Sequence, residues 1–355
     1  MKRWLAPLAL GVVAPCLVCG QVAHSRRVLS TFPGGVHRLL KQQEGLPAAR
    51  SQVPVATGQV GPCEPGPVQG LVDIPGGWCE GLAVDNNGNI FTADLVTNNV
   101  YRITPQGQTT LYANLYAPSY DPNNPEAYLD GAKGMAFSMA GDLWICNPTP
   151  TYADKSRHGL YRVSPGGRAE LAVPMNFEEA PFPNGLTFDP QGNLYITESK
   201  KGGIWKVHKG QGVASLWLAD QLLEPTGGFG ANGIAFKDGA IFITNSDQVT
   251  LVKVPINHDG SPGIPTIFAY DFGWPDGLTV GPSGDLYLIG GWDDWQLVRV
   301  ADDGTWRFEV LSGMTGTASL AFGKTHGDKT TVYMSNFGSS WDAQPTVLKI
   351  ELCKH

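Results

Sequence analysis

Six copies of one short phrase predict an all-β chain folded as a six-bladed β-propeller with four antiparallel strands per blade. The copies are Glu80-Gly-Leu-Ala-Val-Asp, Lys133-Gly-Met-Ala-Phe, Asn184-Gly-Leu-Thr-Phe-Asp, Asn232-Gly-Ile-Ala-Phe, Asp276-Gly-Leu-Thr-Val and Ala318-Ser-Leu-Ala-Phe. Their first residues recur at intervals of roughly 42 to 53 positions, the period of a repeat architecture. After each copy come a glycine-bearing turn and further runs of apolar/polar alternation, the pattern of antiparallel strands. Composition agrees: 45 Gly and 27 Pro in 355 residues supply many turns, and 42% apolar residues are enough to fill a large core.

In chain order, Met1-Lys2-Arg3 precedes an apolar run from Trp4 to Val18 and a small residue, Gly20. This is the layout of a secretory signal peptide over 1–20 and leads us to expect secretion. The run is shorter than the roughly 20 residues of a membrane span. Residues 21–62, rich in Ser, Pro, Gly and Gln, read as a flexible leader, and 63–355 as the propeller.

Blade three shows the grammar of the repeat. Strand one is Asn184 to Asp189, closed by the turn Asp189-Pro-Gln-Gly-Asn. Strand two is Leu194 to Glu198, strand three Gly203 to Val207 and strand four Val213 to Leu218. Third strands recur at Val100, Leu160, Leu251, Leu297 and Val347. The sixth unit ends after its third strand, and an open blade would leave a bare sheet edge. The segment from Val68 to Ile74 is the missing strand, and its pairing with the C-terminal strand brings Cys63 near Cys353. We expect a disulfide there, closing the ring. Cys79 and Cys146 fall on inner strands and read as buried thiols.

The first residue of each copy occupies one structural position, because it precedes the turn glycine by a constant eight residues in four blades and by seven in blade four. Side chains from separate blades therefore converge at one end of the central channel. Glu80, Asn184, Asn232 and Asp276 offer two carboxylates and two amides. Such hard oxygen donors suit Ca²⁺, and the lack of Cys or His among them disfavours zinc and copper. A hydrogen-bonded polar plug is the competing reading. Lys133 breaks the pattern. Three placements fit it: turned aside toward Asp130 or substrate; above a metal as acid, base or oxyanion partner; or in place of the metal, paired with Glu80 and Asp276.

Loops on the same face are long and aromatic, whereas the opposite turns are short and polar. Trp78, Tyr152, Phe229, Trp274, Trp292 and Trp341 are the expected pocket wall, with Phe177, Phe182, Trp295 and Phe337 nearby. Asp94, Asn147, Glu198, Asn245, Asp247 and Asp294 are further polar residues of that face, and His158 is its histidine and a candidate base. No Gly-x-Ser-x-Gly elbow and no phosphate-binding loop occurs, which argues against covalent serine catalysis. A net charge of −7 without a basic stripe argues against nucleic acid.

Over residues 67–353 the Glu…Asn-Gly…Asp-Gly series resembles the SMP-30/gluconolactonase group and the related paraoxonases. The resemblance implies a channel Ca²⁺ held at Glu80, Asn184, Asn232 and Asp276, an N- to C-terminal disulfide matching Cys63–Cys353, and lactone hydrolysis by metal polarisation of the carbonyl. Lys133-Gly134 departs from it, since gluconolactonases carry Asn-Asp-Gly in blade two and paraoxonases a histidine near there. Strictosidine synthase shares the architecture without using the metal. The expected function is a secreted Ca²⁺-dependent lactonase or esterase for an apolar or aromatic cyclic ester, with Lys133, Asp130 and His158 in catalysis. The alternatives are a biosynthetic cyclase, isomerase or lyase built around Lys133, and a binding propeller without chemistry. The expected partner is a small hydrophobic metabolite, bound by a monomer.

Overall fold

The structure, a computed structural model, describes residues 65–74, 77–117, 131–150, 153–291, 294–337 and 346–352. The described strands form six separate antiparallel sheets of four strands each. Blade one holds β2 (Cys79–Val84), β3 (Ile90–Asp94), β4 (Asn99–Ile103) and β5 (Thr109–Asn114). Blade two holds β6 (Met135–Phe137), β7 (Leu143–Asn147), β8 (Gly159–Ser164) and β9 (Arg168–Pro174). Blade three holds β10 (Pro183–Phe188), β11 (Leu194–Glu198), β12 (Gly203–Val207) and β13 (Ala214–Ala219). Blade four holds β14 (Ala231–Lys237), β15 (Ala240–Asn245), β16 (Thr250–Pro255) and β17 (Thr266–Tyr270). Blade five holds β18 (Leu278–Val280), β19 (Leu286–Gly290), β20 (Trp295–Val300) and β21 (Arg307–Met314). Blade six holds β22 (Thr317–Phe322), β23 (Thr331–Asn336) and β24 (Val347–Glu351).

The ring closes as expected. The N-terminal strand β1 (Gln69–Val72) pairs antiparallel with β24, with Gln69 opposite Lys349 and Val72 opposite Val347. Two further bonds extend the seam: the Gly66 amide donates to the Glu351 carbonyl at 2.9 Å, and the Ile74 amide to Thr346 Oγ1 at 2.9 Å. Cys63 and Cys353 lie outside the described residues, as do the signal and leader segments. Cys79 and Cys146 are buried free thiols.

The core is a circle of six interfaces rather than one lump. Phe91 and Val100 of blade one pack on Leu143 and Ile145 of blade two. Leu160 packs with Leu186 and Ile196, Ile204 with Ile234 and Ile243, and Leu251 with Leu278 and Leu288. Ile289 packs with Leu320 and Met334, and Leu82 and Ile90 with Tyr333 and Val347 complete the circuit. Each blade therefore buries both faces, which is why its central strands read as nearly continuous apolar runs.

The glycine of the repeated phrase has a steric cause. It lies where the lead residue of the next blade presents its backbone carbonyl. A Cβ at Gly134 would lie 2.7 Å from the Asn184 oxygen, and one at Gly185 would lie 2.6 Å from the Asn232 oxygen. One at Gly277 would lie 2.5 Å from the Ala318 oxygen. These carbonyls are met in two ways. Where strand two carries Cys146 or Ile289, the glycine amide bonds the carbonyl directly: Gly134 to Asn184 at 3.1 Å and Gly277 to Ala318 at 2.8 Å. In blades three, four and six a strand-two hydroxyl relays the bond, whereas Thr92 of blade one donates to Gly81 O at 2.7 Å. Thr197 accepts from the Gly185 amide at 2.8 Å and donates to Asn232 O at 2.5 Å. Thr244 accepts from Gly233 at 2.8 Å and donates to Asp276 O at 2.7 Å. Ser335 accepts from Ser319 and donates to Glu80 O, stitching the last blade to the first.

Gly185→Ala is therefore expected to lower the unfolding free energy by ~1–3 kcal/mol, the usual cost of overpacking a tight site. Gly212→Ala, whose Cβ meets only ordinary contact at 3.6 Å, should change it by less than about 0.5 kcal/mol. Denaturant midpoints of the two variants test this; equal midpoints would refute the steric account.

Candidate active site

The first strands of all six blades line a central channel of about 790 Å³. Glu80, Asn184, Asn232, Asp276 and Ala318 line one end; Asn86, Pro282, Lys324 and Lys329 belong to turns at the other. The register argument thus holds for the lead residues: the ring brings the four oxygen-bearing leads together. Glu80 is 14% exposed, whereas Lys133 is 1% exposed.

Lys133 crosses from blade two to blade one and bonds Glu80, Nζ to Oε2, at 2.7 Å. On its other side Nζ lies 5.6 Å from the centre of the Phe182 ring of blade three, within cation–π range. Of the partners open to Lys133, the structure shows it bonded to Glu80. Asp276, another lead residue of the same ring, is buried. Burial and the negative charge of Glu80 push its pKa well above the ordinary carboxylate value, partly offset by the Lys133 charge and a hydrogen bond from Asn232.

The amides form a directed chain. Ser199 Oγ spends its proton on Ala231 O at 2.6 Å, so it can only accept from Asn184 Nδ2, at 3.0 Å. Ser246 Oγ likewise donates to Pro275 O at 2.7 Å and accepts from Asn232 Nδ2 at 2.9 Å. These serines orient both amides. Asn184 Nδ2 then donates to Asn232 Oδ1 at 2.8 Å, and Asn232 passes a hydrogen bond on to Asp276. Ser199 and Ser246 were not singled out from sequence. The signal was present, because strand two of blades three and four ends in Thr-Glu-Ser and Thr-Asn-Ser at the same register.

This arrangement does not fit the Ca²⁺ expected from the lead residues. A divalent ion needs ionised carboxylates and inward-facing oxygens. Here Glu80 is occupied by the Lys133 ammonium. An ion of charge two at about 4 Å from an ammonium is repelled by about 8 kcal/mol at an effective dielectric near 20. Among the described residues no cluster of three His, Cys, Asp or Glu side chains is placed to hold a metal.

The aromatic wall is an arc of edge-to-face rings. Phe182 meets Phe229 at 5.0 Å between centres, Phe229 meets Trp274 at 6.1 Å, Trp274 meets Trp295 at 6.4 Å and Trp295 meets Phe337 at 6.0 Å. Lys200 Nζ sits 3.6 Å from the Phe229 ring centre at the rim. Phe182, Phe229 and Trp274 each stand two or three residues before a lead residue, so the polar ring carries the wall with it. Trp78 holds the same register before Glu80, its amide donating to Asp94 Oδ1 at 3.2 Å. Tyr152, Trp292, Trp341 and Asp130 lie outside the described residues.

His158 is placed as a structural pin. It is fully buried, its Nδ1 accepts from the Thr149 amide at 3.0 Å, and its Nε2 bonds Ala180 O at 2.8 Å. Burial pushes its pKa down, in keeping with a neutral ring whose two nitrogens are both used by backbone. Several acidic residues of this face hold loops instead of facing the channel. Asp247 Oδ2 accepts from the amides of Thr226, Gly227 and Gly228. Glu198 accepts from those of Phe182, Lys200 and Lys201. The Cys146 thiol is inert by the same logic, since burial and the Glu80 charge push its pKa up.

Because the folded protein binds the Asp276 proton more tightly than the unfolded chain, this residue costs stability at high pH. The cost starts above the ordinary carboxylate value of about 3.9 and grows until pH passes the raised value. Asp276→Asn keeps the acceptor for Asn232 and removes the titration. Melting curves from acid to alkaline pH should show the variant losing less stability than the parent; parallel curves would contradict the assignment.

No family model and no curated protein sequence matches the chain. Solved structures do. A gluconolactonase from Xanthomonas campestris superposes with a TM-score of 0.61 at 16% identity, over 84% of this chain and 99% of that one. Regucalcin from Agrobacterium tumefaciens, described as a calcium-binding protein, gives 0.59 at 17% identity, over 81% and 94%. Virginiamycin B lyase from Staphylococcus aureus gives 0.54 at 14% identity, over 81% and 99%. A hydrolase, a calcium-binding protein and a lyase thus share this architecture, and the likeness establishes the six-bladed propeller of the gluconolactonase and regucalcin type as this chain's fold.

Proposed function

We propose that the protein is a lactonase- or esterase-type hydrolase acting on an apolar or aromatic cyclic ester. The observation that carries this reading is the buried Lys133–Glu80 pair at the head of the channel, beside the arc of aromatic rings. Two carboxylates line one channel, one bonded to an ammonium and the other buried with a raised pKa, and such a pair can serve as base and acid. Glu80 reaches the channel and acts as base; Lys133 is a positioning residue that holds its carboxylate through the 2.7 Å bond. Asp276, whose pKa is raised by burial and by the Glu80 charge, acts as acid. The arc holds the apolar body of the substrate and excludes water from all but the reacting end.

In this reaction Glu80 takes a proton from water as the water oxygen bonds the ester carbon. The carbonyl electrons move to oxygen, where the Asp276 hydroxyl meets the developing charge. On collapse the bond to the ring oxygen breaks and Asp276 supplies its proton to that oxygen, releasing a hydroxy acid. The proton held by Glu80 then returns to Asp276 through a second water. Calcium is given no step. The N-terminal apolar run supports placement in the secretory pathway.

The aromatic arc also favours a second reading, an isomerase or cyclase that holds a hydrophobic metabolite in a reactive conformer. Product mass separates the two, since hydrolysis adds a water and isomerisation adds nothing. Assayed on aryl lactones, Glu80→Gln should lose roughly 10²–10⁴-fold in kcat, the usual worth of a general base. Lys133→Met should lower kcat as well, because Glu80 loses the bond that holds its carboxylate in place. Full turnover in Glu80→Gln would overturn the hydrolytic assignment.

A further inference from the structure

We infer that Lys133 is a tethered cation occupying the place of a divalent ion at the head of the channel, and that replacing it by asparagine opens a calcium site. The position of the ammonium argues for this. It is carried by blade two, bonds a carboxylate of blade one at 2.7 Å and lies 5.6 Å from a ring centre of blade three. A group of blade two that engages blades one and three lies close to the axis on which the lead residues converge. The backbone of Lys133 is fixed there, its amide donating to Cys146 O at 2.8 Å and its carbonyl packed against Gly81. Lys133 is buried at 1% exposure, while its partner Glu80, at 14%, lines the channel.

Charge leads to the same conclusion. With Lys133 present, the Glu80 charge is already neutralised, and a divalent ion would displace the ammonium into a closed interior. Without the ammonium, the same positions present two carboxylates and two amides, and an asparagine at 133 would add a third amide oxygen. That is a hard-oxygen set of the kind calcium takes. One side chain therefore decides whether this channel is closed by its own cation or by a metal. The inference rests on the site geometry described above and is read out by metal binding, so it stands or falls apart from hydrolysis.

The test compares the full-length parent, Lys133→Asn and Lys133→Met, each treated with EDTA and desalted. Calcium alone is the probe, followed by elemental analysis, calorimetric titration and melting temperature. The parent should hold no stoichiometric calcium, and its melting temperature should not respond to millimolar calcium. Lys133→Asn should bind one equivalent at least about tenfold more tightly than the parent, with a concentration-dependent rise in melting temperature. Lys133→Met, which removes the charge and adds no oxygen, should bind more weakly than Lys133→Asn. One tightly held calcium in the parent, or no binding by a folded Lys133→Asn, would overturn the inference. If Lys133→Asn does not fold, the parent decides: metal-free protein upholds the tethered cation, and an equivalent of calcium rejects it.

Discussion

A backbone oxygen pressed against a glycine is the contact on which this propeller depends. In blades one to five the glycine of the inner strand meets the backbone carbonyl of the next blade's lead residue at a distance that admits no Cβ. The contact draws the innermost strands together, and an amide or a threonine or serine hydroxyl then bonds the same oxygen. Apolar packing between blades supplies most of the stabilisation, but it is tolerant of small shifts. The carbonyl contact is not tolerant. It sets the height and rotation at which each lead side chain leaves the backbone, and thereby makes six separate residues neighbours.

Once the leads are neighbours, their charges must be reconciled. Two carboxylates cannot both remain ionised in a buried ring without a cation. Here the balancing charge comes from the chain itself. Lys133 pairs with Glu80, and burial and the Glu80 charge raise the pKa of Asp276. Ser199 and Ser246 remove the remaining freedom by turning both amides one way, so the ring runs as one directed hydrogen-bond chain. The acid–base asymmetry of the proposed reaction follows from this division of charge.

The fold was largely legible in the sequence because it rests on period and spacing. Strands β11 and β12 fall where alternation placed them, and β1 completes the last blade as edge avoidance required. The convergence of Glu80, Asn184, Asn232 and Asp276 followed from register alone. The partners of the site's side chains were not legible. Whether Lys133 turns toward Glu80 depends on burial and charge across three blades, which no local pattern encodes. His158 sat on the right face by sequence, yet its two bonds go to backbone at Thr149 and Ala180. Asp247 and Glu198 carry the charge expected of a site and spend it on loop amides. Polar residues of one face are indistinguishable in sequence until their partners are known.

The most direct measurement is a crystal structure of the unaltered protein grown from calcium-containing solution. The account predicts the Lys133 ammonium within hydrogen-bonding distance of Glu80 and no ion among Asn184, Asn232 and Asp276. An ion with calcium-like oxygen distances at that point, with Lys133 turned away from Glu80, would contradict it.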